Sequence, residues 1–255
     1  MNPYAVRVTL RPRTAFEVFD LAAAVSRESP GAFVRLSAAV LLPAFGVTWA
    51  FGWFMGEAWF AMMALIALMP AIQLPFLMLG ARLLFDRDAT ATLALRDLWG
   101  ELGATIGLLV LGWAGLVLAV CSGTILSFLL LPLVFAAETT LLERSGVGAG
   151  IRRSATLVQD ALGSVLIGGV VMIGLPVWAA LVGEATGRAV VGFVLQLGEP
   201  FGSLLYLECT PWVIIGVLLA QPLISLYRLL LYVNVRTIRE GWDVQIALRA
   251  AAEEA

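Results

Sequence analysis

Six apolar runs alternate with short polar ones along the chain: Phe33 to Phe54, Trp59 to Leu84, Leu102 to Cys121, Thr124 to Leu142, Ala161 to Val182 and Trp212 to Val233. Each is close to the roughly 20 residues an α-helix needs to cross a hydrocarbon core about 30 Å thick. The pattern predicts an all-α bundle of six transmembrane helices, forming a single integral membrane domain over residues 1–255. Only Cys121-Ser122-Gly123 divides the third run from the fourth. Together those runs are too long for one crossing, and a turn of small residues suits a hairpin reversal.

Amphipathic segments stand between the hairpins, at Ala15 to Ser29, Leu93 to Leu102 and Ala149 to Leu162, with a fourth at Asp243 to Ala252. Stretches such as "FEVF" and "LRDLW" can turn apolar residues to lipid and charges to water, so these segments are expected to lie at the interface. Residues 1–32 and 234–255 thus flank a bundle spanning 33–233. The stretch 184–211 is interrupted by Glu199-Pro200, which prevents a crossing, yet it is too apolar for a free loop. It is expected either to lie on the outer interface or to dip in as a re-entrant element. An external ligand would be sought there first.

Composition agrees with a membrane protein, since 61% of residues are hydrophobic, 13% are charged and the mean hydropathy is +0.95. All sixteen basic residues are Arg, which together with abundant Ala points to a GC-rich bacterial source. The net charge of −2 supplies no basic stripe for phosphates, so no nucleic-acid partner is expected. The polar opening "MNPYAVRVTLRPRTAFEVFD" lacks a signal peptide's apolar centre, so the first span is expected to direct insertion.

Arginines in short loops near span ends mark the cytoplasmic side. Arg7, Arg11, Arg13, Arg27 and Arg35 precede the first span, and Arg82, Arg87 and Arg96 lie between the second and third. Arg144, Arg152 and Arg153 lie between the fourth and fifth, and Arg236, Arg239 and Arg249 follow the sixth. With six spans all of these share one side and Arg188 alone falls clearly on the other. Both termini are therefore expected in the cytoplasm of a bacterium, with the chain in its cytoplasmic membrane.

The polar junctions resemble one another. "LFDRDATATLALR" (84–96), "LLERSGVGAGIRR" (141–153) and "TIREGWDVQIALR" (237–249) each set an acid beside Arg at the third and fourth positions and end on Arg. In the last copy the pair is reversed, as Arg239-Glu240. Pro75 and Pro132 fall in register before the first two copies. This predicts three parallel repeats of an amphipathic segment followed by a helical hairpin. The junctions set topology, and they also offer a candidate docking face: Asp86, Arg87, Arg96, Glu143, Arg144, Arg152, Arg153, Arg236, Arg239, Glu240, Trp242 and Asp243.

"RPRTAFEVFDLA", "LLERSGVGAGIRRSATLV" and "LLYVNVRTIREGWDVQIAL" resemble a family of bacterial hydrophobic membrane domains. Members occur attached to some glycerophosphoryl diester phosphodiesterases and also stand alone. The resemblance is spread over most of the chain and implies a membrane domain without phosphodiesterase activity, since no catalytic domain accompanies it here. Asn234 departs from the pattern, standing where an acid often follows the aromatic Tyr232.

The inventory of chemical groups is thin. Without His there is no Ser-His dyad and no imidazole metal site, and without Lys there is no Walker-type phosphate loop. Two Cys do not make a zinc site, and "GVGAG" (146–150) follows no strand that would suggest a dinucleotide fold. No enzyme activity, cofactor or metal is expected. Five of the six spans contain Pro, at Pro43, Pro70 and Pro75, Pro132, Pro176 and Pro222. "GATIG" (103–107) and "SVLIG" (164–168) supply small residues for close helix packing.

Inside the spans the informative polar residues are Gln73, Glu138, Gln221 and Arg228. Glu138 stands six residues before Arg144 and Arg228 eight before Arg236, which at about 1.5 Å per residue gives similar depths. They form either an ion pair between the fourth and sixth spans, with Arg228 alternatively reaching to the interface, or a site for an anionic headgroup or solute. Cys121 and Cys209 share the outer face, either bridged by a disulfide or as free packing thiols. The leading functional expectation is a scaffold or accessory subunit that offers the Arg/acid face to a membrane or cytoplasmic protein. The alternative is a small transporter or a lipid-binding protein, and membrane lipids are partners in either case.

Overall fold

The computed structural model describes residues 11–86, 88–198, 202, 204 and 208–241, apart from the side chains of 119–129. All regular structure among them is helical. Four helices are long and apolar enough to cross a membrane: α2 (Pro30–Met55), α3 (Ala58–Leu83), α8 (Leu162–Ala189) with its π-helical extension Val190–Val194, and α9 (Pro211–Glu240). A fifth crossing is available if α4 (Ala91–Gly100) and α5 (Leu102–Leu126), which meet at 88°, are taken as one broken span.

The three expected interfacial segments all form helices: α1 (Ala15–Glu28), α4 and α7 (Val147–Asp160). Thr14 and Glu17 close a capping box at the start of α1, each satisfying a backbone N–H of the other. Its buried Ala15, Val18, Ala22 and Val25 follow helical spacing, and this face packs on α9, with Phe19 edge-on to Tyr227 at 5.9 Å. The helix following each of the three begins after a single residue. Ser29, Glu101 and Ala161 adopt nearly the same backbone conformation there, with φ/ψ of −131/53, −111/36 and −127/31. The terminal segment Asp243 to Ala252 lies outside the described residues.

The second hairpin departs from expectation. Instead of turning at Cys121-Ser122-Gly123, α5 continues to Leu126; a 3-10 segment, Ser127–Leu133, then precedes the seven-residue α6 (Ala136–Leu142). Small residues inside an apolar helix need not break it, whereas Pro132 has no N–H and pushes its predecessor away from helical geometry. The 3-10 segment doubles back on α5, with Leu130 and Leu133 facing Gly115 at ordinary contact distance. The expected fourth span, Thr124 to Leu142, is thus a composite of two short helical pieces.

The α2–α3 turn places Gly56 at a left-handed φ of 75°, and Trp53 accepts its N–H. Helix α9 is the central post. Within its most apolar 18-residue window 72% of residues are buried, against 17% for α8. Helix α8 instead exposes Leu166, Val170, Ile173, Val177 and Leu181 along one side, as a helix facing lipid does. It also packs tightly on α9, because Gly183 and Gly216 let the two backbones approach where a Cβ would collide. Of the expected small-residue contacts, Gly168 admits Leu231 and Gly107 admits Val147.

Candidate functional site

Glu138 lies in the first turn of α6, where a carboxylate is favoured by the helix dipole, and no part of it is exposed. Arg228 comes from the far side, on α9, with its side chain 16% exposed. Its Nε donates to Glu138 Oε1 at 2.6 Å, so the expected ion pair is formed. Nη1 donates to Gln73 Oε1 at 2.7 Å, and Gln73 Nε2 donates to Gln221 Oε1 at 3.1 Å. Gln221 Nε2 donates back to the Val217 carbonyl at 3.2 Å. One acid, one guanidinium and two amides therefore form a chain joining α6, α9 and α3. Buried polar groups are costly unless they satisfy one another, which this arrangement largely achieves. Glu138 Oε2 is buried without a partner among the described residues, and Nη2 of Arg228 likewise has none there.

Beside this chain a cleft of about 370 Å³ opens between α3, α5 and the segment from the 3-10 turn into α6. Met69, Pro70, Leu108, Leu111 and Leu133 supply apolar wall, Gln73 and Arg228 supply the polar end, and Glu138 does not reach it. Gly112 faces Pro70 closely enough that a Cβ would sit 3.0 Å away, and the Trp113 indole donates to the Ala67 carbonyl at 2.8 Å. These contacts fix the distance between α3 and α5, and with it the width of the cleft.

At the arginine-rich end, four of the expected docking residues pair with one another. Arg153 bonds Glu240 and lies 3.6 Å from Glu143; Arg236 bonds Glu240 at 2.9 Å and lies 3.5 Å from Glu143. Tyr232 completes the cluster by donating to Glu143 at 2.5 Å, beneath the Arg236 guanidinium, 5.7 Å from the ring centre. Arg96, Arg144, Arg152 and Arg239 are exposed, and Asp86 accepts the Asp88 N–H at 2.9 Å. Arg87, Trp242 and Asp243 lie outside the described residues. Two further contacts were not read from the sequence. Arg82 grips Asp97 with two bonds of 2.5 and 2.7 Å, holding α4 to the end of α3. Asn234 both accepts the Arg13 N–H, at 2.8 Å, and donates to the Arg13 carbonyl, at 2.9 Å. An amide can do both and a carboxylate cannot, so the position where an acid was anticipated has a neutral role here.

At the opposite end, the first part of 184–211 continues α8 rather than leaving the span. Glu184 is buried and accepts from Arg188 at 2.8 Å, from the Leu204 N–H at 3.3 Å and from the Thr210 hydroxyl, while Arg188 also donates to the Gly202 carbonyl at 3.0 Å. That carboxylate tethers the stretch after α8 to the bundle through Leu204 and Thr210. Cys209 is a buried free thiol, pushed up to about 11 by burial and by the charge of Glu184. The side chain of Cys121 lies outside the described residues. Among the described residues no group of His, Cys, Asp and Glu is arranged to hold a metal ion.

No protein-family model, curated protein or solved structure matches this chain.

Proposed function

We propose that this chain is a non-catalytic, multi-pass membrane protein that binds a lipid-like molecule in the cleft beside Arg228. The observation that supports this most directly is that Arg228, whose Nη2 is uncommitted among the described residues, lines the end of an otherwise apolar cleft. Intramembrane ionisable groups are expensive, and one that faces a cavity is a candidate ligand contact. The lack of His and Lys favours binding over acid-base or covalent chemistry.

In the same reading the protein sits in a bacterial cytoplasmic membrane with both termini cytoplasmic. It is built from three units, each an amphipathic helix followed by a hairpin, and the near-identical conformations of Ser29, Glu101 and Ala161 support that repeat. The α5 hairpin supplies two of six crossings, the second of them through the 3-10 segment and α6. Exposed Arg96, Arg144, Arg152 and Arg239 favour a cytoplasmic assignment of their end. The same four arginines favour a second reading, a scaffold that binds a protein there, although Glu143 and Glu240 are engaged by the chain's own arginines.

Purification in mild neutral detergent, followed by native mass spectrometry, separates the two. Lipid retained at a defined stoichiometry is the expected result; a stoichiometric protein partner without lipid would favour the scaffold. Reporter fusions after Glu57 and Arg188 should report the outside, and a fusion after Ala255 the inside.

A further inference from the structure

We propose that the Arg228 cleft selects a single-chain amphiphile whose head is an anionic two-oxygen group, a carboxylate or a phosphate. This rests on the lipid-binding reading and adds the chemical class of the ligand.

The head is specified by the donors left over. A guanidinium has five N–H groups in a planar fork. Glu138 takes the Nε–H and Gln73 takes one on Nη1, which leaves Nη2 uncommitted among the described residues. No carboxylate lines the cleft, so a ligand's direct contacts at its polar end are with Arg228 and Gln73 and not with Glu138. Glu138 is wholly buried outside the cleft wall, and Arg228, which it bonds, forms part of that wall. A bound anion therefore contacts the cation directly. A planar fork matches paired oxygens better than a lone hydroxyl, and charge-assisted bonds of this kind are about twice as strong as neutral ones.

The tail is specified by the walls. From the level of Arg228 and Gln73 the cleft extends past Met69 to Ile66 on α3 and past Gly112 to Leu116 on α5. Gln73 to Ile66 spans roughly 10 Å of helix, all of it apolar apart from the amide. A volume of about 370 Å³ lies near the lower end of the roughly 300–1,000 Å³ usual for ligand pockets. It suits one alkyl chain, and Gly112 and Gly115 supply the space where larger side chains would intrude. The site also lies about 18 Å along α9 from Glu240, deeper than the headgroups of lipids seated in the adjacent leaflet. Its occupant is drawn into the protein rather than bound at the rim.

Two sources share this chemistry, free fatty acids and single-chain phospholipids, and twelve-carbon probes tell them apart. Binding of laurate, dodecyl phosphate and dodecanol would be measured by native mass spectrometry on the full chain in dodecyl maltoside. At least one of the two anions should bind at least about tenfold tighter than the alcohol. Tighter laurate would identify a carboxylate site, and tighter dodecyl phosphate a phosphate site. The preference should vanish in the double variant E138Q/R228Q, which removes both charges together and so leaves neither alone. G115L, which fills the cleft while retaining Arg228, should weaken all three probes. Equal binding of anions and alcohol, or a preference that survives in E138Q/R228Q, would overturn the anion assignment while leaving lipid binding intact. If no probe binds and no lipid co-purifies, the lipid-binding reading itself fails.

Discussion

Arg228 and Arg236 stand little more than two turns apart on α9, yet their surroundings differ in kind. Arg236 belongs to a balanced quartet with Arg153, Glu143 and Glu240, and its guanidinium also covers the Tyr232 ring. Arg228 has one acid and one amide, with a donor edge beside an apolar cleft. The first arrangement uses its charges to join α7 and the end of α6 to α9. The second retains hydrogen-bonding capacity beside a wall that is apolar apart from the Gln73 amide. Charge alone therefore does not distinguish a structural arginine from a candidate ligand contact; the groups left unpaired do.

The largest expected effect comes from the deeper pair. Glu138→Ala should destabilise the protein by about 3–5 kcal/mol, because it strands a charge in a low-dielectric setting. Removing both partners, in E138A/R228A, should cost less than the worse single variant. Thermal unfolding in detergent measures both, and a double variant less stable than either single one would end the distinction drawn between the two arginines.

The quartet should respond more weakly and in a different way. Arg153 and Glu240 remain 37% and 21% exposed, so water screens their attraction. Glu240→Ala is expected to cost about 1 kcal/mol at low ionic strength, and less near 1 M salt, where the screening length falls to about 3 Å. The loss in Glu138→Ala should stay nearly constant over the same salt range. Equal salt sensitivity at the two sites would contradict the difference in burial on which the comparison stands.

Much of this architecture could be read from residue spacing. Helices α1, α4 and α7 fall on the three amphipathic segments between the apolar runs, and Glu138 and Arg228, at matched distances from the flanking arginines, do meet. The amide chain was less legible. Gln73 and Gln221 could be recognised as polar residues at depth, but their pairing depends on the rotation of α3 against α9, which periodicity does not fix. Asn234 was misleading for a related reason: its partner is backbone at Arg13, more than two hundred positions away. The turn expected at Cys121 failed because small residues permit a reversal without requiring one, whereas Pro132 restricts the chain by sterics. The cleft itself is created by that displaced turn, so its position could not be derived from where the apolar runs end.

The smallest expected effect concerns Arg82 and Asp97, a third ionic contact near the surface. The two hydrogen bonds from Arg82 hold the Asp97 carboxyl below the ordinary aspartate range, with the Arg82 charge acting in the same direction and burial opposing both. Since the folded-state value lies below the unfolded one, the stabilisation is complete above about pH 3.9, the ordinary aspartate value, and is lost as the pH falls through the depressed value. Asp97→Asn should therefore lower the melting temperature slightly at neutral pH, and the gap from the parent protein should close on acidification below that range. Partial exposure of both side chains keeps the effect small. Unlike the Arg228 cleft, this pair is not expected to alter amphiphile binding. If Asp97→Asn leaves stability unchanged at neutral pH, the bidentate contact is a surface pairing with no share in holding α4 to α3; if it abolishes laurate binding, the cleft depends on that contact as well as on Arg228.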